Sequence, residues 1–293
     1  GNTTITIVKD SVQRFTDLPT VSPNGYVVEV KGDESTNFDN YYVKFVTNNG
    51  GALEEGQWEE TVKDGIKFKF NYDTMPHVLI RQADGNFRFA RVDGDSYNVT
   101  VGSNTQSYTL PQWGERMVGD EESAPDPSFI GNKINNVFFF RNRLGFLADD
   151  NVILSRVSEF FNFFPETVIT VIDSDPIDVA ASHTKVAILK NAVSMGEQLI
   201  LFSDQTQFVL ASSSDTLTPQ TANVIVATEF ESSAKAAPVG SGSSIYYLTD
   251  KGDFAGVREY ITQGDVQIRD AANITIHVPR PVSYTHLTLP TMS

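Results

Sequence analysis

Three times along the chain, a short apolar strand runs into a polar turn and returns as a second apolar strand. The first copy lies in VFFFRNRLGFLADDNVILS and turns at Asp149, Asp150 and Asn151. The second is QLILFSDQTQFVLAS, turning at Asp204, Gln205 and Thr206, and the third is SIYYLTDKGDFAGVREY, turning at Asp250, Lys251 and Gly252. Apolar runs of this length bounded by turn residues are strands, and a hairpin that recurs at long intervals marks a stack of similar sheets. The spacing of roughly 45–55 residues matches a four-stranded propeller blade. Such a stack is a platform rather than a catalytic cleft.

The stretch before these hairpins is also strand-rich. ITIVKD, GYVVEVKG and YYVKFVTNNGG alternate and then turn, with GQWEETV placed to return beside the last. HVLIRQADGNFRFARV reads as a hairpin through a two-residue Asp84–Gly85 link, with Phe87 and Phe89 on one face and Arg88 and Arg91 leaning to the other. GDEESAPDPS is acidic, holds two prolines and lacks large apolar residues, so it reads as a linker or exposed loop. SEFFNFF, stopped by Pro165, reads as one helical turn capped by Ser158. The expected architecture is all-β: an N-terminal β domain at 1–118, an acidic linker at 119–128 and part of an irregular β-propeller at 129–281. The last stretch, 282–293, resembles the translated read-through of a sequencing adapter, and with the absence of an initiating Met the chain reads as an internal piece of a longer protein.

Composition narrows the chemistry. The chain has no cysteine among its 293 residues, which excludes disulfides and thiolate metal sites. No apolar run reaches the length of a membrane-spanning helix. Lys and Arg number 22 against 37 Asp and Glu, a net charge of −15, which is opposite to the footprint of a protein that grips phosphate. Arg141, Arg143 and Arg156 form one local basic cluster, expected to pair with carboxylates rather than with DNA.

The search for a reaction centre returns weak candidates. His77, His183 and His277 stand far apart, each without a second ligand at metal spacing. Asp173, Asp175 and Asp178 lie close together in DSDPID, but the segment lacks the Gly and distal Glu of a calcium loop, and a turn is the simpler reading. GSGSS at 240–244 has glycines but precedes a strand and carries no Lys. Trp58, Trp113 and Tyr97 are aromatic groups near turns that suit sugar stacking in principle, and strand packing in the ordinary case. No catalytic, cofactor-binding or metal-binding residue is therefore assigned.

The segments FFFRNRLGFLADDNVILSR, DPIDVAASHTKVAILKNAV, EQLILFSDQTQFVLAS, DTLTPQT and PVGSGSSIYYLTDKGDFAGVREY resemble, in order, the tail tubular protein B family, the nozzle proteins of short-tailed, T7-like bacteriophages. YYVKF followed by GQWEE resembles it less specifically. That resemblance implies an irregular β-propeller with inserted β domains, in a virion tail protein made in the host cytoplasm. It also implies a homo-oligomeric ring, read as a hexamer, with a head–tail adaptor (tail tubular protein A) and tail fibres as partners. Double-stranded DNA would pass transiently and without sequence preference through the bore, with no cofactor. Two other classes compete: a propeller glycosidase or lyase using Asp173 and Asp178, and a non-catalytic sugar-binding or adhesion module using Trp58 or Trp113.

Overall fold

The computed structural model describes residues 9–31, 40–182, 187–214, 216–252, 254–263, 268–275 and 282–283. Contacts divide the chain into two units, Gly1–Asp126 with Glu159–Pro176, and Pro127–Ser158 with Ile177–Ser293. Helix is confined, among the described residues, to one 3-10 turn at Phe15–Asp17, and none is long and apolar enough to cross a membrane.

The first unit is built on a five-stranded sheet. Its strands are β1 (Ser11–Val12), β2 (Val21–Pro23), β3 (Val27–Val30), β4 (Tyr41–Thr47) and β5 (Leu53–Thr61), in the order β1-β3-β4-β5-β2. Alternation in β3 and β4 buries Val28, Val30 and Val43, and Trp58 and Tyr26 pack against them. Two hairpins follow, β6 (Val78–Arg81) with β7 (Phe87–Ala90) and β8 (Ser96–Val101) with β9 (Asn104–Thr109). The β6–β7 link is not the two-residue turn expected at Asp84–Gly85. Gln82 N–H still bonds Asn86 O at 2.8 Å, so the loop is Ala83, Asp84 and Gly85. Gly85 sits at φ +85°, which makes this a turn followed by a left-handed residue, a conformation glycine adopts without strain.

The segment 158–164 also differs from expectation. SEFFNFF forms bridges and turns rather than a helical turn, and Ser158 takes φ +63°. Its phenylalanines are needed elsewhere: Phe161 and Phe163 lie against Trp113, and Phe164 stacks on Phe70 at 5.0 Å. Three aromatic side chains within four positions bury more area packed in the first unit than one solvated helical turn would. Gly114 N–H donates to Phe161 O, and the Glu60 carboxylate accepts from Thr167 Oγ1 and Val168 N–H, fastening Glu159–Pro176 to the strands before it.

The second unit holds the three sheets. The first runs β10 (Ile134–Phe140), β11 (Arg143–Ala148), β12 (Asn151–Leu154) and β13 (Ile177–Ala180). The second runs β14 (Asn191–Met195), β15 (Gln198–Phe202), β16 (Gln207–Ser212) and β17 (Ala222–Thr228). The third runs β18 (Val239–Ser241), β19 (Ser244–Lys251), β20 (Phe254–Gln263) and β21 (Ile268–Asn273), with β22 (Val282–Ser283) pairing the start of β20. All are antiparallel meanders. Each recurring hairpin of the sequence is the central strand pair of one sheet: β11–β12, β15–β16 and β19–β20. Like strands lie beside like, β10 by β14 by β18 and β13 by β17 by β21, so the sheets stack face to face as propeller blades do.

The stacking explains why the middle strands read as unbroken apolar runs. Leu199, Leu201, Phe208 and Leu210 face the first sheet, against Leu147, Val152 and Leu154. Ile200, Phe202 and Val209 face the third, against Ile245, Tyr247 and Tyr260. A sheet covered on both faces has no use for alternation, and each such side chain contributes about 1.5–3 kcal/mol by leaving water. The β10–β11 link is a two-residue turn in which Arg141 (φ 45°) and Asn142 (φ 60°) are both left-handed, as the twist of a tight hairpin requires. Gly145 in β11 is required sterically: a Cβ there would meet the Phe138 ring at 2.3 Å and Leu154 Cδ2 at 2.9 Å.

Candidate functional site

The three clustered aspartates go separate ways. Asp175 is buried, and its carboxylate accepts Glu166 N–H and Ile172 N–H, each at 3.0 Å, which closes a turn in the first unit. Asp178 lies on β13 in the second unit, where it accepts Ser128 N–H and the Asn151 amide, each at 2.8 Å. Asp173 is exposed. Asp175 and Asp178 are thus each engaged with backbone or amide donors, within different units. Among the described residues, no group of His, Asp and Glu is placed to hold a metal ion.

Aromatic candidates are similarly committed. Trp113 is 1% exposed, at the centre of the phenylalanine cluster. Trp58 lies edge-on to Phe45 at 4.9 Å and donates its indole N–H to Pro19 O. Tyr97 stacks on Tyr108 at 5.3 Å, with the Arg88 guanidinium 4.0 Å above its ring. His77 donates Nδ1–H to Met75 O at 2.8 Å and stacks on Phe89. His183 and His277 lie outside the described residues. Residues 240–244 form the β18–β19 hairpin turn, with Ser241 paired to Ser244, so no helix N-terminus is offered to a phosphate.

The basic cluster divides in the same manner. Arg143 is 1% exposed, in β11, and donates to Ser155 O at 2.7 Å. Arg141 donates to Glu197 O at 3.1 Å and lies 3.9 Å from the Glu197 carboxylate. An open cleft of about 530 Å³ runs beside this pair, lined by Phe140, Gln198, Ser212 and Leu217. Elsewhere Lys63 meets Asp120, Lys69 meets Glu115, Arg91 meets Asp73 and Asp93, and Lys190 meets Asp204. These five cations, Arg141 included, are thus mated to carboxylates, in a chain whose acids outnumber its bases by 37 to 22.

Arg116 was invisible in the sequence as a structural residue. It is 2% exposed, donates Nε–H to Ala124 O at 2.7 Å and Nη2–H to Asp126 at 2.9 Å, donates to Lys67 O, and lies over the Phe164 ring. Its fork binds down the acidic stretch 119–128, in which Ala124 is wholly buried. Asp120 is the first carboxylate of that stretch. Burial pushes its carboxyl up, but N–H bonds from Ser123 and Glu122, the Ser123 hydroxyl and Lys63 outweigh burial and hold it below the usual carboxylate range. Glu54 is held low by the N–H groups of Gly51 and Asn49.

A framework of stacked antiparallel sheets, with several carboxylates and guanidinium groups holding turns and loops, defines an all-β protein. The family of bacteriophage nozzle proteins matches residues 1–289, and the chain belongs to that family, a structural component of the phage virion tail. The tail tubular protein gp12 of Escherichia phage T7 is 39% identical over 268 residues, covering 91% of this chain and 30% of that protein. The chain thus spans about a third of the length of this curated relative. The family match extends to residue 289, into the stretch that reads as adapter sequence; of that stretch only Val282 and Ser283 are among the described residues.

Proposed function

We propose that this chain forms part of the wall of a tail nozzle ring through which double-stranded DNA leaves the virion for the host cell. The observation that carries the reading is the family match across nearly the whole chain. The physical chemistry supports it. A duplex carries about one negative charge per 1.7 Å of axis, and a wall with a net charge of −15 repels rather than grips it. Contact with DNA is then transient and independent of sequence.

The ring is read as six copies, joined to a head–tail adaptor and bordered by tail fibres. Closure of such a ring requires two different, complementary patches on each subunit. The three stacked sheets are read as part of an irregular propeller. Its next sheet would pack on the outer face of the third, where Tyr246, Leu248 and Val257 are half-buried. The domain reading (1–118, 119–128 and 129–281) is retained within this proposal, with Glu159–Pro176 serving the first unit. The test is to express the longer protein with its adaptor and image it by negative-stain electron microscopy. Closed rings with a central opening are expected; monomers that persist beside the adaptor would refute the reading.

A further inference from the structure

The β8–β9 hairpin is a two-stranded ribbon, in unbroken register from Ser96↔Thr109 to Val101↔Asn104. Its root is held firmly: Tyr97 stacks on Tyr108, Arg88 lies over Tyr97, and Tyr108 Oη accepts Ala83 N–H at 2.7 Å. Beyond that root its strand residues are exposed, Val99 excepted. Hydroxyl pairs Ser96–Thr109 and Thr100–Thr105, each at 3.0 Å, cross one face. Two strands alone are marginal in water, and each outer edge presents a row of backbone donors and acceptors to any strand that arrives.

Proteins usually blunt such edges with charge, proline or a bulge. This ribbon has none of the three. No charged side chain occurs anywhere between Asp95 and Glu115, and Pro111 falls after the strands. The contrast within the same unit is sharp: β5 carries Glu54, Glu55, Glu59 and Glu60, and β6–β7 carries Arg81 and Arg88. Copies of a chain with a net charge of −15 repel one another, so contact between them is favoured where acidic groups are missing. The ribbon supplies such a place, and its unpaired ladder calls for a strand as partner.

We infer that the β8–β9 hairpin pairs edge to edge with a strand of a second copy of this chain, by β-augmentation. The inference rests on the ring reading above and names one of the two patches that reading requires. The test compares the wild-type chain with Asn98→Lys/Asn104→Lys, which puts one cation on each face of the ribbon without opposing like charges, and with the neutral Asn98→Thr/Asn104→Thr.

Circular dichroism first checks that all three are equally folded. In sedimentation velocity, the wild type and the neutral pair associate as concentration rises, and the lysine pair loses that association. In hydrogen exchange, protection that grows with concentration appears at residues 96–109 and is absent from the lysine pair. A wild type that stays monomeric throughout, a lysine pair that associates like the wild type, or protection at 96–109 seen only on adding the adaptor protein overturns the inference. Failure of the ring reading looks different: the longer wild-type protein then forms no rings, whereas rings formed equally by the wild type and the lysine pair leave the ring standing and remove this hairpin from it.

Discussion

Replacing Arg116 by lysine removes a planar fork from a site that uses it on three sides. The guanidinium satisfies the carbonyls of Ala124 and Lys67 and the Asp126 carboxylate, with its side chain 2% exposed. A lysine ammonium is a single point and does not reach three acceptors in that arrangement. At least two acceptors lose their donor. A buried orphan costs about 1–3 kcal/mol and a part-buried one less, so Arg116→Lys should cost about 2–4 kcal/mol. Asp126 is 38% exposed and recovers part of its loss from water, which favours the lower end. With a urea slope of about 2–3 kcal/mol/M, the midpoint falls by about 1–2 M. The assay is urea unfolding followed by tryptophan fluorescence, because both tryptophans, Trp58 and Trp113, belong to the first unit. A midpoint within about 0.2 M of the wild type would refute the claim that this guanidinium holds the acidic stretch in place.

Three further outcomes are expected. Gly145→Ala drives a methyl into the Phe138 ring and should destabilise the second unit by about 1–3 kcal/mol in thermal unfolding followed by circular dichroism, with Phe138→Leu recovering part of the loss; strictly additive effects would contradict the contact. Leu201→Ala and Phe202→Ala open cavities on opposite faces of the middle sheet, and each should cost about 2–5 kcal/mol; if only one does, the sheet is covered on one side. Asp120 has a folded value below its unfolded one, so its contribution is complete above the unfolded value and is lost as pH falls through the folded one. Stability of the first unit should therefore decline in that acidic window, and Asp120→Asn should flatten the decline in urea midpoints measured against pH.

The parts of the fold legible in the sequence were those whose environment is uniform. β11, β15 and β16 are buried along nearly their whole length, so RLGFLA, QLILF and QFVLA stand out as strands and locate the central turns of the first two sheets. The outer strands β13, β14 and β18 are short and half-exposed or, for β18, fully exposed, and IDVA, NAVSM and VGS carry no pattern that separates them from loops. The role of SEFFNFF depends on Phe70 and Trp113, far away in sequence, so local capping signals pointed to a helix that tertiary packing overrode. Arg116 is a charged residue in a polar context, and only its neighbours in space reveal that it is buried. The turn at Gly85 was legible as to its left-handed residue but not its length, because the pairing of Gln82 with Asn86 decides where the strands end. As to site chemistry, DSDPID suggested convergence by spacing alone, whereas Asp175 and Asp178 serve different units.

The physical case for a conduit is that stacked sheets, in a chain with a net charge of −15, make a wall that DNA slides past. Cryo-electron microscopy of the virion tail at side-chain resolution tests this most directly. The account predicts that copies of this chain encircle a bore wide enough for a duplex, with carboxylates outnumbering cations along its lining. Density that places the three stacked sheets away from any channel, or lines the channel with unpaired lysine and arginine, would contradict it.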